Sequence, residues 1–439
     1  MRGHPFPPIP YGDRRDRALA RLGNTSMLLP AAPVRFRNGD SEYRYRPDSE
    51  LLYLTGWDAP ECIALLRGFA DEDRFVLFVP ERNPERELWT GPRRDPEEVR
   101  AVFGADKVLG RRDFSEKAPG LLAGGEGIHY RLGACEACDR VVRDTLRNGR
   151  RERARHGVGP CAVVDPGEVL DSMRRRKCPA EIARMREAAR ISVAAFRAVL
   201  GSVREGMGEW EVEAALEAGF RSRGANGPAF ATIVAAGVNA CTLHYSANSA
   251  RICADDLVLV DAGAEFDFYA ADITRTVPAS GRLAGVRREV YEVVLDAHRA
   301  AVAASVPGGT LEGVHGAAAR RMAEGLVAAG ILEGTVDEVL DERSHRRFFP
   351  HRTSHWLGLD THDAGPYHDR GGPAKLEPGM VFTVEPGLYF PPGSSPGRPR
   401  LEGTGIRLED DVLVTPEGAE VLTAALPLDP DALREPAGR

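Results

Sequence analysis

Two periods of apolar residues run along this chain, and they divide it. Beyond Arg174 the period is helical. After Pro179, the residues Ile182, Met185, Ala189, Val193, Phe196 and Leu200 recur at spacings of three and four, the stripe of an amphipathic helix. Pro179 suits its first turn, where a missing N–H costs nothing. Gly206 and Gly208 interrupt the stripe. Val212, Leu216 and Phe220 then carry a second helix that stops at Gly224. The same layout returns roughly a hundred residues later, a weak internal repeat of a helix pair followed by strands. Val286, Val290, Val294, Ala297 and Ala301 mark one helix, broken at Pro307-Gly308-Gly309. Leu311, Val314, Ala318 and Met322 mark the next, which stops at Gly330. A duplicated α+β half of this kind would enclose a site between its copies.

Before Arg174 the signal is short apolar runs. Phe75–Val79, closed by Pro80, and Cys62–Leu66 read as buried strands of an α/β domain. The Arg-, Gly- and Glu-rich segment 148–159 reads as a loop or an exposed helix. The expected division is therefore residues 1–173 and 174–439.

In the second domain several strands carry an acid where an apolar residue would be expected. Leu257–Val260 runs into Asp261-Ala-Gly. A strand over Phe266–Thr276 would place Asp272, Thr274 and Thr276 on one face, because side chains alternate, and a hairpin would bring Asp261 and Asp272 together. Met380–Val384 runs into Glu385-Pro-Gly. Gly405–Thr415 reads as a further strand with Arg407 and Glu409 on one face. Four converging carboxylates repel one another unless cations sit between them. Two divalent ions balance four carboxylates, and a metal lowers the pKa of its water. Three histidines, His351, His355 and His362, fall within twelve residues, although the chain has only 11 in 439. That density favours a site. The spacing of His351 and His355 would suit a helical pair, but Trp356–Leu359 reads better as a strand. One histidine is then a ligand and the others are neighbouring donors.

Composition narrows the function classes. A net charge of -7 gives no general support for a nucleic-acid or anionic-membrane partner. The one dense basic run, Arg174-Arg175-Arg176-Lys177, is read as a solvated interdomain face. The N-terminal residues lack the apolar core of a signal peptide, and no apolar run reaches the ~20 residues of a membrane span. Seven scattered cysteines argue for a reducing cytoplasm; Cys135 and Cys138 form a lone C-x-x-C with no second pair to complete a zinc site.

These motifs resemble one known family. Phe348–Gly365 is similar to the histidine motif of Xaa-Pro aminopeptidases (aminopeptidase P). Asp261-Ala-Gly, Tyr269–Thr276, Thr383–Tyr389 and Gly405–Asp410 resemble its other metal motifs, and Leu243-His-Tyr245 a further histidine motif. Arg37–Tyr43, Leu54–Trp57 and Glu87–Gly91 fit its first domain. The resemblance implies an α+β pita-bread catalytic domain with a pseudo-two-fold repeat, preceded by a smaller α/β creatinase-like domain. It also implies release of an N-terminal residue that precedes proline, by attack of a metal-bridging hydroxide. The implied ligands are Asp261, Asp272, His355, Glu385 and Glu409, with Asp272 and Glu409 bridging two ions, most often Mn²⁺, with Zn²⁺ or Co²⁺ as substitutes. Glu385 would take the proton of the nucleophilic water. His362 and His244 would act on the reacting carbonyl, while His351, Tyr389 and Arg407 would face substrate. Relatives are commonly homodimers or homotetramers, and Asp40 and Trp89 stand where some of them reach a neighbouring subunit's site. Prolidase, which takes Xaa-Pro dipeptides, resembles the chain at the same motifs, and a non-catalytic binding protein on this fold is the third reading. The chain departs from the family at Arg352 and Thr353, where a Gly followed by Leu or Ile is frequent, and at Ala247, Arg44 and Cys178.

Overall fold

The computed structural model describes residues 6–280, 282–395 and 398–433. It divides into two compact units, Ile9–Met173 and the chain from Arg174 onward, the latter including the segment up to Pro8.

The first unit is built on a six-stranded mixed sheet. Thr25–Pro30 pairs antiparallel with Ile63–Arg67 and parallel with Gly127–His129. Phe75–Val79 and Lys107–Gly110 extend one edge and Ala162–Val164 the other. The two apolar runs read from the sequence are thus neighbouring central strands. Leu65, Val76, Phe78 and Ile128 pack with Phe114, Leu122, Val141 and Val142 from the covering helices. Residues 148–156 continue the helix Glu136–His156, which ends at Gly157 in the left-handed conformation. Asp40 lies at the turn of an exposed two-stranded ribbon, Phe36–Asn38 with Ser41–Glu42. Trp89 is 85% exposed on the short helix Pro84–Thr90.

The second unit repeats a helix pair followed by strands. Pro179–Leu200 and Glu209–Ser222 form the first pair, Val286–Ala304 and Leu311–Ala328 the second. Each pair has its own core. Ala189, Phe196, Leu216 and Phe220 pack on Val234, Val258, Val260 and Ile273. Val290, Val294, Val314 and Met322 pack on Phe382, Val384, Leu388, Ile406 and Val412. In the first half Ile233–Ala236, Leu257–Ala262 and Ile273–Pro278 form an antiparallel sheet. In the second, Val381–Val384, Asp410–Thr415 and Gly418–Val421 form another, beside the ribbon of Gly387–Phe390 and Thr404–Arg407. Among the described residues no helix is long and apolar enough to cross a membrane.

Several sequence expectations are corrected. Residues 266–276 are not one strand. The chain turns at Asp267 and Phe268, both at positive φ, to form the hairpin of Ala264–Phe266 with Tyr269–Ala270, and a new strand starts at Ile273. Gly263 permits this fold-back, since a Cβ there would lie 1.6 Å from the Ala271 carbonyl oxygen. The run 405–415 is two strands, broken at Leu408-Glu409 because the chain passes from the ribbon to the sheet. The histidine stretch is an irregular loop, with Trp356 bridging Phe382 as its only strand-like contact among the described residues. No helix aligns His351 with His355.

The basic run is not a solvated face. Arg174, Arg175 and Lys177 are buried; only Arg176 is exposed. Arg174 reaches Asp360 at 2.7 Å and Asp363 at 2.5 Å, Lys177 reaches Asp363 at 3.0 Å, and Arg175 reaches Asp369 at 3.1 Å. The burial of these cations is tolerable because each meets a carboxylate. Together they pin both ends of the loop that carries His362.

Candidate metal centre

Strand register assembles the acids. Leu257–Ala262 pairs with Ile273–Pro278 so that Asp261 faces Thr274, which leaves Asp272 two residues away on the same side. Val384 pairs with Asp410, so Glu385 and Glu409 leave adjacent strand ends together. The two halves are stitched here. The Glu409 N–H donates to the Thr274 carbonyl at 3.0 Å, and the Asp272 N–H donates to the Asp411 carboxylate at 3.1 Å. The buried Arg275 guanidinium donates to the Glu409 carbonyl at 2.6 Å and to Asp410 at 2.7 Å.

Asp261, Asp272, Glu385, Glu409, His355, His351, His362, His244 and Arg407 all line one cavity of about 1070 Å³. Tyr389 does not. It is buried, 3% exposed, behind His351 and Arg407, a departure from its expected place facing substrate. His315, Glu312, Tyr367 and His368 also line the cavity. His315 sits on the apolar-striped helix Leu311–Ala328, one residue from buried Val314, and no sequence signal separated it from core. Asp40 and Trp89 belong to the other unit.

Hydrogen bonds fix the protonation of the imidazoles. His351 Nδ1 lies 2.7 Å from the Arg352 carbonyl, so it carries the proton. Its Nε2 therefore accepts from the Tyr389 hydroxyl at 2.9 Å, and that oxygen accepts from Arg407 Nη1 at 2.9 Å. Arg407 also donates to Asp261 at 2.6 Å and to Thr274 at 3.2 Å. His355 Nδ1 lies 3.1 Å from the Trp356 carbonyl, which turns the Nε2 lone pair toward Asp272 at 3.6 Å and Glu385 at 3.7 Å. Burial pulls both His351 and His355 down to about 4, and His362 is lowered for the same reason. All three imidazoles are neutral at pH 7. The His355 and His362 rings stack edge to face with centroids 4.3 Å apart.

The acids are held against their charge. Burial pushes Glu385 up to about 8, with Arg407 opposing and Asp261 adding to the rise. Asp272 and Glu409 are raised well above the usual carboxylate range, first by burial and then by the other acids of the cluster. The Thr274 hydroxyl donates to Glu409 at 2.6 Å. One buried oxygen, Asp261 Oδ1, has no hydrogen-bond partner. An imidazole lone pair facing two carboxylates, an orphaned carboxylate oxygen and a crowd of raised acids all suit a cation at their centre. Ligand atoms of Asp272, His355 and Glu409 lie within 4.8 Å of one another, a candidate metal cluster.

Comparison with known proteins agrees with this geometry. Residues 183–416 match metallopeptidase family M24, and residues 11–129 match the aminopeptidase P N-terminal domain. The chain is 38% identical over 424 residues to Xaa-Pro aminopeptidase of Escherichia coli (strain K12), covering 96% of each chain. It is 31% identical to Xaa-Pro aminopeptidase 3 of Homo sapiens, covering 92% of this chain and 78% of that one. The structure of Pseudomonas aeruginosa aminopeptidase PepP superposes with a TM-score of 0.91 at 42% identity, covering 97% of this chain and 96% of that one. A variant of Escherichia coli aminopeptidase P in complex with substrate superposes with a TM-score of 0.90 at 36% identity, over 97% and 96% of the two chains. With both domains matched and its α+β repeat in place, the chain belongs to the aminopeptidase P family, metallopeptidases of family M24.

Proposed function

We propose that this protein is a Xaa-Pro aminopeptidase, releasing the first residue of peptides whose second residue is proline. The arrangement of His355 carries the reading. Its Nε2 lone pair is aimed into a group of buried acids that cannot all ionise without cations. Full-length similarity to Xaa-Pro aminopeptidases, one of them solved with substrate, supports the substrate class.

Asp261, Asp272, His355, Glu385 and Glu409 would hold two divalent ions. The oxygen-rich donor set favours Mn²⁺ over softer metals. When bound, such ions supply Lewis acidity to the scissile carbonyl and acidify water. The chain's own groups do the rest. Glu385, which the bound ions would hold as a carboxylate and whose surroundings favour its taking up a proton, would accept one from the attacking water and pass it to the departing proline nitrogen. His244 and His362, on the cavity wall, donate hydrogen bonds to the oxygen that gains charge. His351, fixed in one tautomer by the Arg352 carbonyl and the Tyr389 hydroxyl, presents a rigid edge to the substrate.

The protein is further proposed to act in the cytoplasm, which suits seven cysteines that form no disulfide. A homodimer or homotetramer is proposed as its working state, supported by the adjacent exposure of Leu88 and Trp89, 83% and 85%. A peptide panel with Mn²⁺ tests the function. Xaa-Pro-Yaa is expected to be cleaved, Xaa-Ala-Yaa poorly. Cleavage confined to Xaa-Pro dipeptides would favour prolidase. Protein loaded with two equivalents of Mn²⁺ and inert on every peptide would leave the non-catalytic reading.

A further inference from the structure

Six acids and two arginines line the cavity. Arg407 is committed to Asp261 and Tyr389. The rim acids are engaged as well: Glu312 lies 3.1 Å from His368, and Asp360 lies 2.7 Å from Arg174. Arg352 differs. It lies on the cavity wall, is exposed, and among the described residues its guanidinium has neither an ion-pair nor a hydrogen-bond partner. Its backbone, by contrast, is fixed. The Arg352 carbonyl accepts from His351, and the next residue, Thr353, meets His315 at 2.8 Å and accepts the Glu385 N–H at 2.8 Å. A rigid stem therefore presents a free cation beside an acidic cavity.

The acid cluster sets the direction of a bound peptide. The cationic amine of the first residue is drawn to the acids, and negative charge at the other end is repelled from them. A residue spans about 3.3–3.6 Å when extended, so the third residue's carboxylate falls roughly 7 Å beyond the scissile carbonyl.

We infer that Arg352 is a specificity-determining residue that pairs with a carboxylate on the third residue of the substrate, and so selects tripeptides and acidic third positions. The inference rests on the Xaa-Pro peptidase reading. The carboxylate has two sources, the main-chain terminus of a tripeptide or the side chain of Asp or Glu. A planar guanidinium takes either one in a two-pronged contact.

The test compares the Mn²⁺-loaded full chain with Arg352→Ala and Arg352→Lys on three peptides: Xaa-Pro-Leu as free acid, Xaa-Pro-Leu-amide and Xaa-Pro-Glu-amide. For the parent, kcat/KM for the acid and for the Glu peptide should exceed that of the Leu amide by about fivefold, the scale of a solvent-accessible ion pair. The gain should sit in KM, because the contact is the same before and during reaction. In Arg352→Ala both ratios should fall toward one, and Arg352→Lys should restore part of them. A preference for the acid but not the Glu peptide assigns the main-chain source, and the reverse assigns the side chain. Equal rates on all three peptides, or ratios that survive Arg352→Ala, overturn the inference. Binding of the product pair Pro-Leu and Pro-Leu-amide, measured without turnover, separates the two claims. If no Xaa-Pro peptide is cleaved but Pro-Leu still binds more tightly than its amide in an Arg352-dependent way, the peptidase reading fails and the carboxylate contact stands. Equal binding of the pair, together with equal binding of Pro-Leu-amide and Pro-Glu-amide, overturns it.

Discussion

Loading the centre with metal should expel protons, and the number is set by the acids. In the metal-free protein Glu385 is pushed up to about 8, so at pH 6.5 it carries about one proton. Asp272 and Glu409 are raised as well, which takes the metal-dependent release to between about one and three protons. His355, lowered to about 4, is already neutral and adds none. The same carboxylates at ordinary values would release fewer than about 0.1 proton at this pH. The sign follows from the raised values. The metal-free fold is favoured at low pH, where these acids are protonated, and it loses that stability as pH rises through the ordinary carboxylate range toward 8. Apparent metal affinity should therefore rise about tenfold per pH unit for each proton expelled, and flatten above pH 8 as the Glu385 share disappears. Titration calorimetry of chelator-stripped protein with Mn²⁺, in two buffers of different ionisation enthalpy, counts the protons directly. Glu385→Gln should remove about one proton from the count at pH 6.5. Release near zero with pH-independent affinity would refute both the ligand assignment and the account of the acids.

Three further outcomes are expected. Lys177→Met leaves Asp363 with one cation instead of two, and breaking a buried pair of this kind costs about 3–5 kcal/mol. Chemical denaturation should record that loss, and kcat should fall with it because the loop bearing His362 loses an anchor. Tyr389→Phe removes the donor to His351 and leaves the Arg407 contact unmade. A loss of roughly tenfold in kcat/KM is expected, with metal content unchanged, since about 1–3 kcal/mol follows an unsatisfied buried polar group. Gly263→Ala drives a Cβ to 1.6 Å from a main-chain oxygen. It should lower the melting temperature by several degrees or prevent folding, as overpacking against rigid backbone costs more than about 3 kcal/mol.

The acids were the most legible part of the site. Asp261 and Glu385 interrupt or follow buried strands that are otherwise almost wholly apolar, and a charged group there needs a reason. Helix stripes were equally legible, since Pro179, Gly206 and Gly330 punctuate them. What escaped was whatever depended on distant partners. Arg174 and Lys177 look like surface charge until Asp363, 189 and 186 residues away, is placed beside them. The break at Leu408-Glu409 was hidden because no glycine or proline lies between Ile406 and Thr415, and only the change of sheet shows why the chain bends. His351, His355 and His362 could not be ranked by spacing in a loop without periodicity. Tautomers fixed by the Arg352 and Trp356 carbonyls distinguish them. Tyr389 was expected to face substrate from the family resemblance alone; its hydroxyl instead ends between Arg407 and His351.

The division of donors between the two halves carries an evolutionary consequence. Asp261 and Asp272 come from the half with the Phe196 and Phe220 core, and His355, Glu385 and Glu409 from the half with the Val294 and Met322 core. Neither half alone offers all five proposed ligands. An ancestor with a single half would have gathered its ions only by pairing with a second copy, at an occupancy that depended on cell concentration. Fusion in tandem replaces that dependence with a fixed effective concentration. It also frees the two copies to diverge, so that one keeps two acids while the other gains an imidazole and the loop that holds it.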